Sequence, residues 1–406
     1  MCHFFTIILW KDDKILAVYL NVSKLMGPNP SVASPQYATS FGNPRTFDGY
    51  EPMSNSVPIS LVKKVGRFGY SALWSARGIQ SISPVQRVGH ITVYNPSNDH
   101  AIIGYGVSSQ NVLLADFWEL DLSTCIWTKI NIPEDSVSPR AGARAVMAGK
   151  YIWIYGGFAN RTYISDLHVV DLETLAVHRP TTTGEAPQPC SGHAMTYSNG
   201  KIVVQGGFNG NQLSQLHILD LKTMHWTALS RNEAKYATGF TSYDGLTYIF
   251  GGSNVPGLLR IDPFEEIVSV VNVKGTAPFH GLTKCSLVTV DNYILCIGGE
   301  APPSKDQESF FSPLYAFDTN TEEWFILHVS PDGVSTTFTD GEIDNQGVFR
   351  LPVCADASVV YRPKEREIVI FQGQPFKDPP VLIVISAGDS LGFLHLQSDM
   401  LKALQR

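Results

Sequence analysis

The chain has 406 residues, a formal net charge of −7 and a composition 44% hydrophobic and 11% aromatic. That supplies apolar material for a large core, and no run of five basic residues offers nucleic acid an electrostatic footprint. No stretch approaches the ~20 apolar residues of a membrane-spanning helix, so no membrane span is expected.

The first residues predict a hairpin, with β-rich runs at 4–10 and 15–20 around the polar turn Lys11–Lys14. The apolar run before that turn is short, has no basic residue ahead of it and no small-residue cleavage site behind it, so a signal peptide is not expected. Residues 21–60 are rich in Pro, Ser, Asn and Gly. Together, 1–60 reads as a hairpin plus a partly disordered linker. Residues 61–83 hold one strand candidate around Trp74. This Trp precedes Pro84 much as Trp127 precedes Pro139, which makes the segment a possible closing strand for the remainder of the chain.

From Pro84 onward the chain repeats itself, and a repeat at this spacing governs the reading of the whole fold. Tyr151–Phe158 is an apolar run ending in a double glycine. Asp166–Thr174 is a second run ending in Asp-Leu-x-Thr, and the same plan returns at Lys201–Thr223. Double glycines begin at 156, 206, 251 and 298, which are 50, 45 and 47 residues apart (Gly156-Gly157, Gly206-Gly207, Gly251-Gly252, Gly298-Gly299). Asp121, Asp171, Asp220 and Asp318 each open an Asp-x-x-Thr turn. A Trp stands six residues after three of them, at Trp127, Trp226 and Trp324. The first unit has Gly-Tyr-Gly in place of the pair, and the sixth has Gln372-Gly373.

Each unit contains four short β-type runs, separated by turns such as Asn199-Gly200 and Asp244-Gly245, which supply positive φ at low cost. Four antiparallel strands in about fifty residues, repeated six times, describe the blades of a β-propeller. The glycines read as sites of positive φ or close backbone approach, and the tryptophans as filling between twisted sheets. These are packing roles.

Gly-Gly, a run ending in Asp, then Trp six residues on resembles the kelch repeat, over about residues 84–399. The resemblance implies an all-β kelch-type propeller of six four-stranded blades, with seven as the alternative. Val381–Ile385 and Leu391–Leu396 compete with the Trp74 segment to finish the last blade. The kelch resemblance also implies a non-enzymatic scaffold or adaptor that binds a protein or peptide partner through loops on one rim, and residues 1–83 show no BTB or F-box pattern. The alternative is a propeller enzyme at the channel mouth, possibly metal-dependent.

No catalytic residue, cofactor or metal site is expected. None of the six cysteines forms a C-x-x-C pair, and no nucleophile elbow or P-loop is present. His90 and His193 share a repeat position and read as repeat residues rather than ligands. Unpaired, scattered cysteines point to a reducing compartment, the cytoplasm, with the nucleus left open. For partner contact the candidates are Arg87 and Arg140, at corresponding places ahead of their units, where guanidinium groups could clasp carboxylates. Phe158, Asn160 and Arg161, with Phe208 and Asn209, come after the glycine pairs in loops where the copies differ. Two long inserts, Ala301–Pro313 and Ser330–Arg350, exceed what a blade needs.

Overall fold

The computed structural model describes residues 4–11, 14–21, 71–133, 136–229, 237–252, 257–275, 277–279, 281–300, 311–312, 314–331, 351–352, 354–376 and 380–386. Phe4–Lys11 pairs antiparallel with Lys14–Asn21, from Phe4 opposite Asn21 to Lys11 opposite Lys14. Most of the linker and of both long inserts, and the Leu391–Leu396 run, lie outside the described residues.

The remaining strands form six blades. The first is Ile91–Asn95, His100–Gly104, Phe117–Asp121 and Ile126–Ile130, in that order across the sheet. The second runs from Arg144–Ala148 to Val177–His178, the third from Ala194–Ser198 to His225–Leu229, and the fourth from Gly239–Tyr243 to Ile267–Val271. The fifth begins at Ser286–Val290 and ends at Glu323–Pro331. The first strands of successive blades touch one another in a closed circle, with Ser358–Arg362 of the sixth returning to Ile91–Asn95 of the first. They therefore line the central channel. Among the described residues no helix is long and apolar enough to cross a membrane.

The sixth blade settles how the ring closes. Val381–Ser386 is its third strand, and its fourth is Ser71–Gly78, paired antiparallel from Leu73 opposite Ser386 to Gly78 opposite Val381. Trp74 faces Ile385 as Trp127 faces Leu120, Trp226 faces Leu219 and Trp324 faces Phe317. The N-terminal tryptophan is thus the fourth-strand Trp of the last blade. An ionic cluster holds this seam. Arg77 of the closing strand pairs with Glu367, Glu367 accepts from Arg362 Nη1 at 2.6 Å, and Arg362 Nε reaches Asp99 of the first blade at 3.0 Å.

Each fourth-strand Trp packs against the blade before its own. Trp127 meets Phe371 at 5.7 Å between centroids, Trp226 meets Tyr155 at 6.1 Å, and Trp324 meets Phe250 at 5.3 Å. These wedges bury large aromatic area where twisted sheets diverge. In the second and fourth blades Val177 and Val268 take the same position, opposite Val170 and Ile261.

Two sets of backbone hydrogen bonds tie blade to blade. The residue two before each first strand has positive φ in every blade: Gly89, Gly142, Gly192, Ala237, Lys284 and Asp356. Around the ring each donates its N–H to the carbonyl of the preceding one, Gly142 to Gly89, Gly192 to Gly142, Ala237 to Gly192, Lys284 to Ala237 and Asp356 to Lys284, at 2.7–3.1 Å. The Asp356 carboxylate closes the belt by accepting the Gly89 N–H.

The second set explains the double glycines. In three of the pairs the second glycine donates to the next blade, Gly157 to Cys190 O, Gly252 to Leu282 O and Gly299 to Cys354 O, and Gly106 of the first unit's Gly-Tyr-Gly does the same to Arg140 O. A Cβ on Gly298 would lie 2.0 Å from Cys354 O, and one on Gly251 would lie 2.3 Å from Leu282 O. Positive φ and contact with a neighbouring backbone coincide there, so glycine is required on two counts.

The two requirements separate experimentally. Gly298→Ala adds a clash with immovable backbone to the left-handed penalty and is expected to cost about 3 kcal/mol or more. Gly200→Ala, with φ of +86° and nothing within 4 Å of the new Cβ, is expected to cost only about 1–2 kcal/mol. Urea unfolding of the two variants checks the difference.

Candidate functional site: the channel mouth and the glycine-loop rim

Strand direction decides which loops share a face. Each first strand starts where its second strand ends, as Arg144 opposite Tyr155 and Ala194 opposite Gln205 show. The connectors between blades and the loops after the glycine pairs therefore lie on one face, around one mouth of the channel. They are also pinned together. Phe158 N–H donates to Ala141 O at 2.7 Å and Ala141 N–H to Phe158 O at 3.0 Å, and Ser191 and Phe208 exchange the same pair of bonds.

Arg87 and Arg140 do occupy equivalent places, but their side chains are buried, at 0% and 2% exposure. Arg87 grips Asp116 with both ends of its guanidinium, at 2.7 and 3.0 Å, and also donates to Tyr105 O at 3.1 Å. Arg140 grips Asp166 at 2.5 and 3.1 Å and Gly156 O at 3.2 Å. Their expected role as an exposed clasp for a partner's carboxylates is corrected accordingly: each guanidinium already holds a carboxylate of its own blade. The pair braces the incoming connector against the glycine turn and the start of the third strand. In the third blade Cys190 replaces the arginine, and Gln215, at the position of Asp116 and Asp166, donates to Gly206 O at 3.3 Å instead.

Around Asp166 the bracing extends across the seam. Arg140 lies over the Tyr105 ring of the first blade at 5.2 Å, and the Tyr105 hydroxyl bonds His168 Nε2 at 2.7 Å. Burial alone would raise the Asp166 pKa, but His168 and Arg140 outweigh it and hold the carboxyl well below its usual range. Tyr105 and His168 are sealed from solvent, so this chain of polar groups rigidifies rather than reacts.

The loop candidates lie on the rim. Phe158–Ala159 and Thr162–Tyr163 form a miniature hairpin whose two turn residues, Asn160 and Arg161, have φ of 49° and 63°. That is the turn whose twist matches a hairpin, and it presents both side chains to solvent. Phe158, Tyr163 and Phe208 form a half-buried row across the second and third blades, with ring centroids 5.0 and 6.0 Å apart. Asn209 donates to Gln188 Oε1 at 3.4 Å, which links the glycine loop to the connector.

Sequence reasoning did not single out the residues at the mouth itself. A cavity of about 230 Å³ opens there, lined among others by His90, Arg144, Phe240, Lys284, Asp356 and Ser358. Arg144, the first residue of the second blade's inner strand, brings Nη2 to 3.9 Å from Asp356 Oδ1 of the sixth blade and sits over the Phe240 ring of the fourth at 5.9 Å. Its Nε is buried with no hydrogen-bond partner among the described residues. The available signal was its type: the other five blades start their first strands with Ile91, Ala194, Gly239, Ser286 and Ser358.

His90 and His193 stand at the inner ends of their blades. His90 Nε2 bonds Ser358 Oγ at 2.7 Å, and His193 Nδ1 is 3.5 Å from Cys190 Sγ. Burial, with the charges of Arg87 and Arg144, pushes the His90 pKa down to about 3. Burial, with Arg144, does the same for His193. Among the described residues no group of three or more His, Cys, Asp or Glu is placed to hold a metal.

The arrangement is that of a six-bladed β-propeller, with its recurring markers spent on inter-blade packing and its variable loops gathered on one face. The propeller is of the kelch-repeat type. Residues 70–252 match the family described as the KLHDC2/KLHL20/DRC7 kelch-repeats domain. Acyl-CoA-binding domain-containing protein 4 of Arabidopsis thaliana is 32% identical over 197 residues, covering 46% of this chain and 29% of that protein. Kelch domain-containing protein 3 of Bos taurus is 23% identical over 254 residues, covering 57% of this chain and 66% of that protein. Host cell factor of Drosophila melanogaster is 28% identical over 165 residues, or 34% of this chain and 11% of that protein. The matched region thus spans less than two thirds of each of these relatives.

The buried groups make stability depend on pH and on charge pairing. Both histidines are neutral in the folded protein, whereas unfolded they protonate near pH 6.5. The unfolded chain therefore takes up protons first, and stability present above pH 6.5 is lost as pH falls towards 3. Between pH 6.5 and 4.5 each histidine contributes a slope of about 1.4 kcal/mol per pH unit at most, and the pH dependence of Tm in the His90→Gln/His193→Gln protein is expected to be flatter. For the ion pair, Arg140→Ala leaves Asp166 uncompensated and is expected to cost about 3–5 kcal/mol. Adding Asp166→Asn should recover part of that loss in a double-mutant cycle.

Proposed function

We propose that this protein is a protein-interaction scaffold that receives a partner segment on the face around the channel mouth, chiefly over the second and third blades. One observation carries the reading: the Phe158–Tyr163–Phe208 row lies beside the exposed Asn160–Arg161 turn, on the same face as the Arg144 guanidinium at the mouth. Half-buried aromatics give contact area at low entropic cost, and the positive charge of the Arg144 guanidinium at the mouth is suited to a carboxylate. The variable loops of a rigid ring are where recognition is expected. Kelch propellers in general serve as protein-binding modules, and adaptor activity is the finer form of that role proposed for this chain.

We place this activity in the cytoplasm. Cys125, Cys190, Cys285, Cys296 and Cys354 are all buried free thiols, which suits a reducing compartment.

Quantitative affinity purification tests the proposal. Arg161→Glu/Phe208→Ser alters the proposed face, and Lys222→Glu, in an exposed turn between third and fourth strands, alters the other. The first variant is expected to lose a defined set of bound proteins at least tenfold, and the second to keep them. Retention of the same set by both moves recognition away from this face.

A further inference from the structure

The connector that enters the second blade differs from its equivalents at one place. Arg140 stands two residues before the belt residue Gly142, and Ser138 two residues before Arg140. Counted from the belt residues, the same place in the other blades is Val85, Gln188, Glu233, His280 and Pro352, none of which has a hydroxyl. Ser138 Oγ accepts from Arg140 Nη2 at 2.9 Å, and Ser138 O accepts from Arg140 Nε at 3.3 Å. The same Nη2 reaches Asp166 at 3.1 Å. One guanidinium nitrogen is therefore shared between a neutral hydroxyl and a carboxylate. A second guanidinium reaches this connector from just after the second blade's fourth strand, where Arg179 donates to Ser136 O at 3.0 Å.

The connectors into the first and second blades each contain a Ser-Pro step. In Ser83-Pro84 the proline is buried, whereas Ser138 and Pro139 are both exposed. Proline has a fixed φ and no N–H to donate, so an enzyme that selects it recognises the ring itself and needs that ring accessible. The residue before a proline is also held extended, the form in which a hydroxyl is most easily offered to another protein.

We propose that Ser138 is a phosphorylation site for a proline-directed serine/threonine kinase, and that the phosphoserine draws Arg140 away from Asp166. The γ-phosphoryl group of MgATP passes to Ser138 Oγ, ADP leaves, and the hydroxyl proton goes to the kinase's catalytic-loop carboxylate. The product places nearly two negative charges and three acceptor oxygens beside a guanidinium that met only a hydroxyl there before. A dianion competes well with a single carboxylate for the same Nη2. As the guanidinium turns towards the connector, Asp166 and the Gly156 carbonyl, which Arg140 holds at 3.2 Å, lose their donor. Gly156 opens the loop that bears Phe158 and Tyr163, so the modification loosens the aromatic row. Its effect on docking rests on the function proposed above, whereas the capture of Arg140 does not.

The test treats the intact protein with a purified proline-directed kinase and MgATP, and maps the sites by peptide mass spectrometry. Stoichiometric transfer to Ser138 in the folded protein is expected. A phosphorus NMR titration then follows the resonance that Ser138→Ala protein lacks. The second pKa of a solvated phosphoserine is about 6, and Arg140 as its partner is expected to lower it by about one unit. Amide exchange at Gly157 and Phe158, whose N–H groups bond Cys190 O and Ala141 O, is expected to quicken at least fivefold. No transfer to Ser138 overturns the proposal. So does a titration matching that of a free phosphoserine peptide, or unchanged exchange at both amides. None of these readouts involves a bound partner, so their failure is separate from that of the docking face.

Discussion

The close approach of neighbouring backbones around the channel is the constraint on which this ring depends. Six inner strands must start within hydrogen-bonding distance of one another, and only a residue in the left-handed region turns the incoming connector tightly enough to do so. Three of these residues are glycines, and Ala237, Lys284 and Asp356 adopt the same conformation without that freedom. The belt they form, together with the glycine bonds just outside it, converts six separate sheets into one cyclic object. Wedges of Trp fill the widening gaps further out, where sheet twist carries the blades apart.

Much of this was legible because a repeat constrains every copy alike. The glycine pairs, the Asp turns and the Trp positions recur at fixed intervals, and each interval maps onto one strand or turn. The sixth blade was harder to read, since its fourth strand comes from the other end of the described propeller. Trp74 carried the clue, yet no local pattern could say that its partner is Ile385, more than three hundred residues away.

The arginines show the limit in the opposite direction. Arg87 and Arg140 were recognisable as equivalents, and a charged residue in a loop reads as exposed. What buries them is a carboxylate in the same blade, Asp116 or Asp166, which replaces lost hydration with a two-pronged ion pair. The paired change was present in the chain: the blade that has Cys190 for Arg has Gln215 for Asp. Arg144 did not stand out because a strand start reads as a structural position, although the inner strand of a propeller is also the wall of its channel. The aromatic row was not legible either, since Tyr163 belongs to neither glycine loop's marker set and meets Phe208 only through the ring geometry.

The closing strand has a consequence for how the molecule is assembled in time. Ser71–Gly78 leaves the ribosome early, and the strand it pairs with, Val381–Ser386, is among the last of the propeller to appear. Until then the strand bearing Trp74 lacks its antiparallel partner, and the native pairing open to it is the parallel one with His328–Pro331 of the fifth blade. Joining the ends pays the entropy of a very long loop in a single step, so closure is set apart from the local, rapid formation of each hairpin sheet.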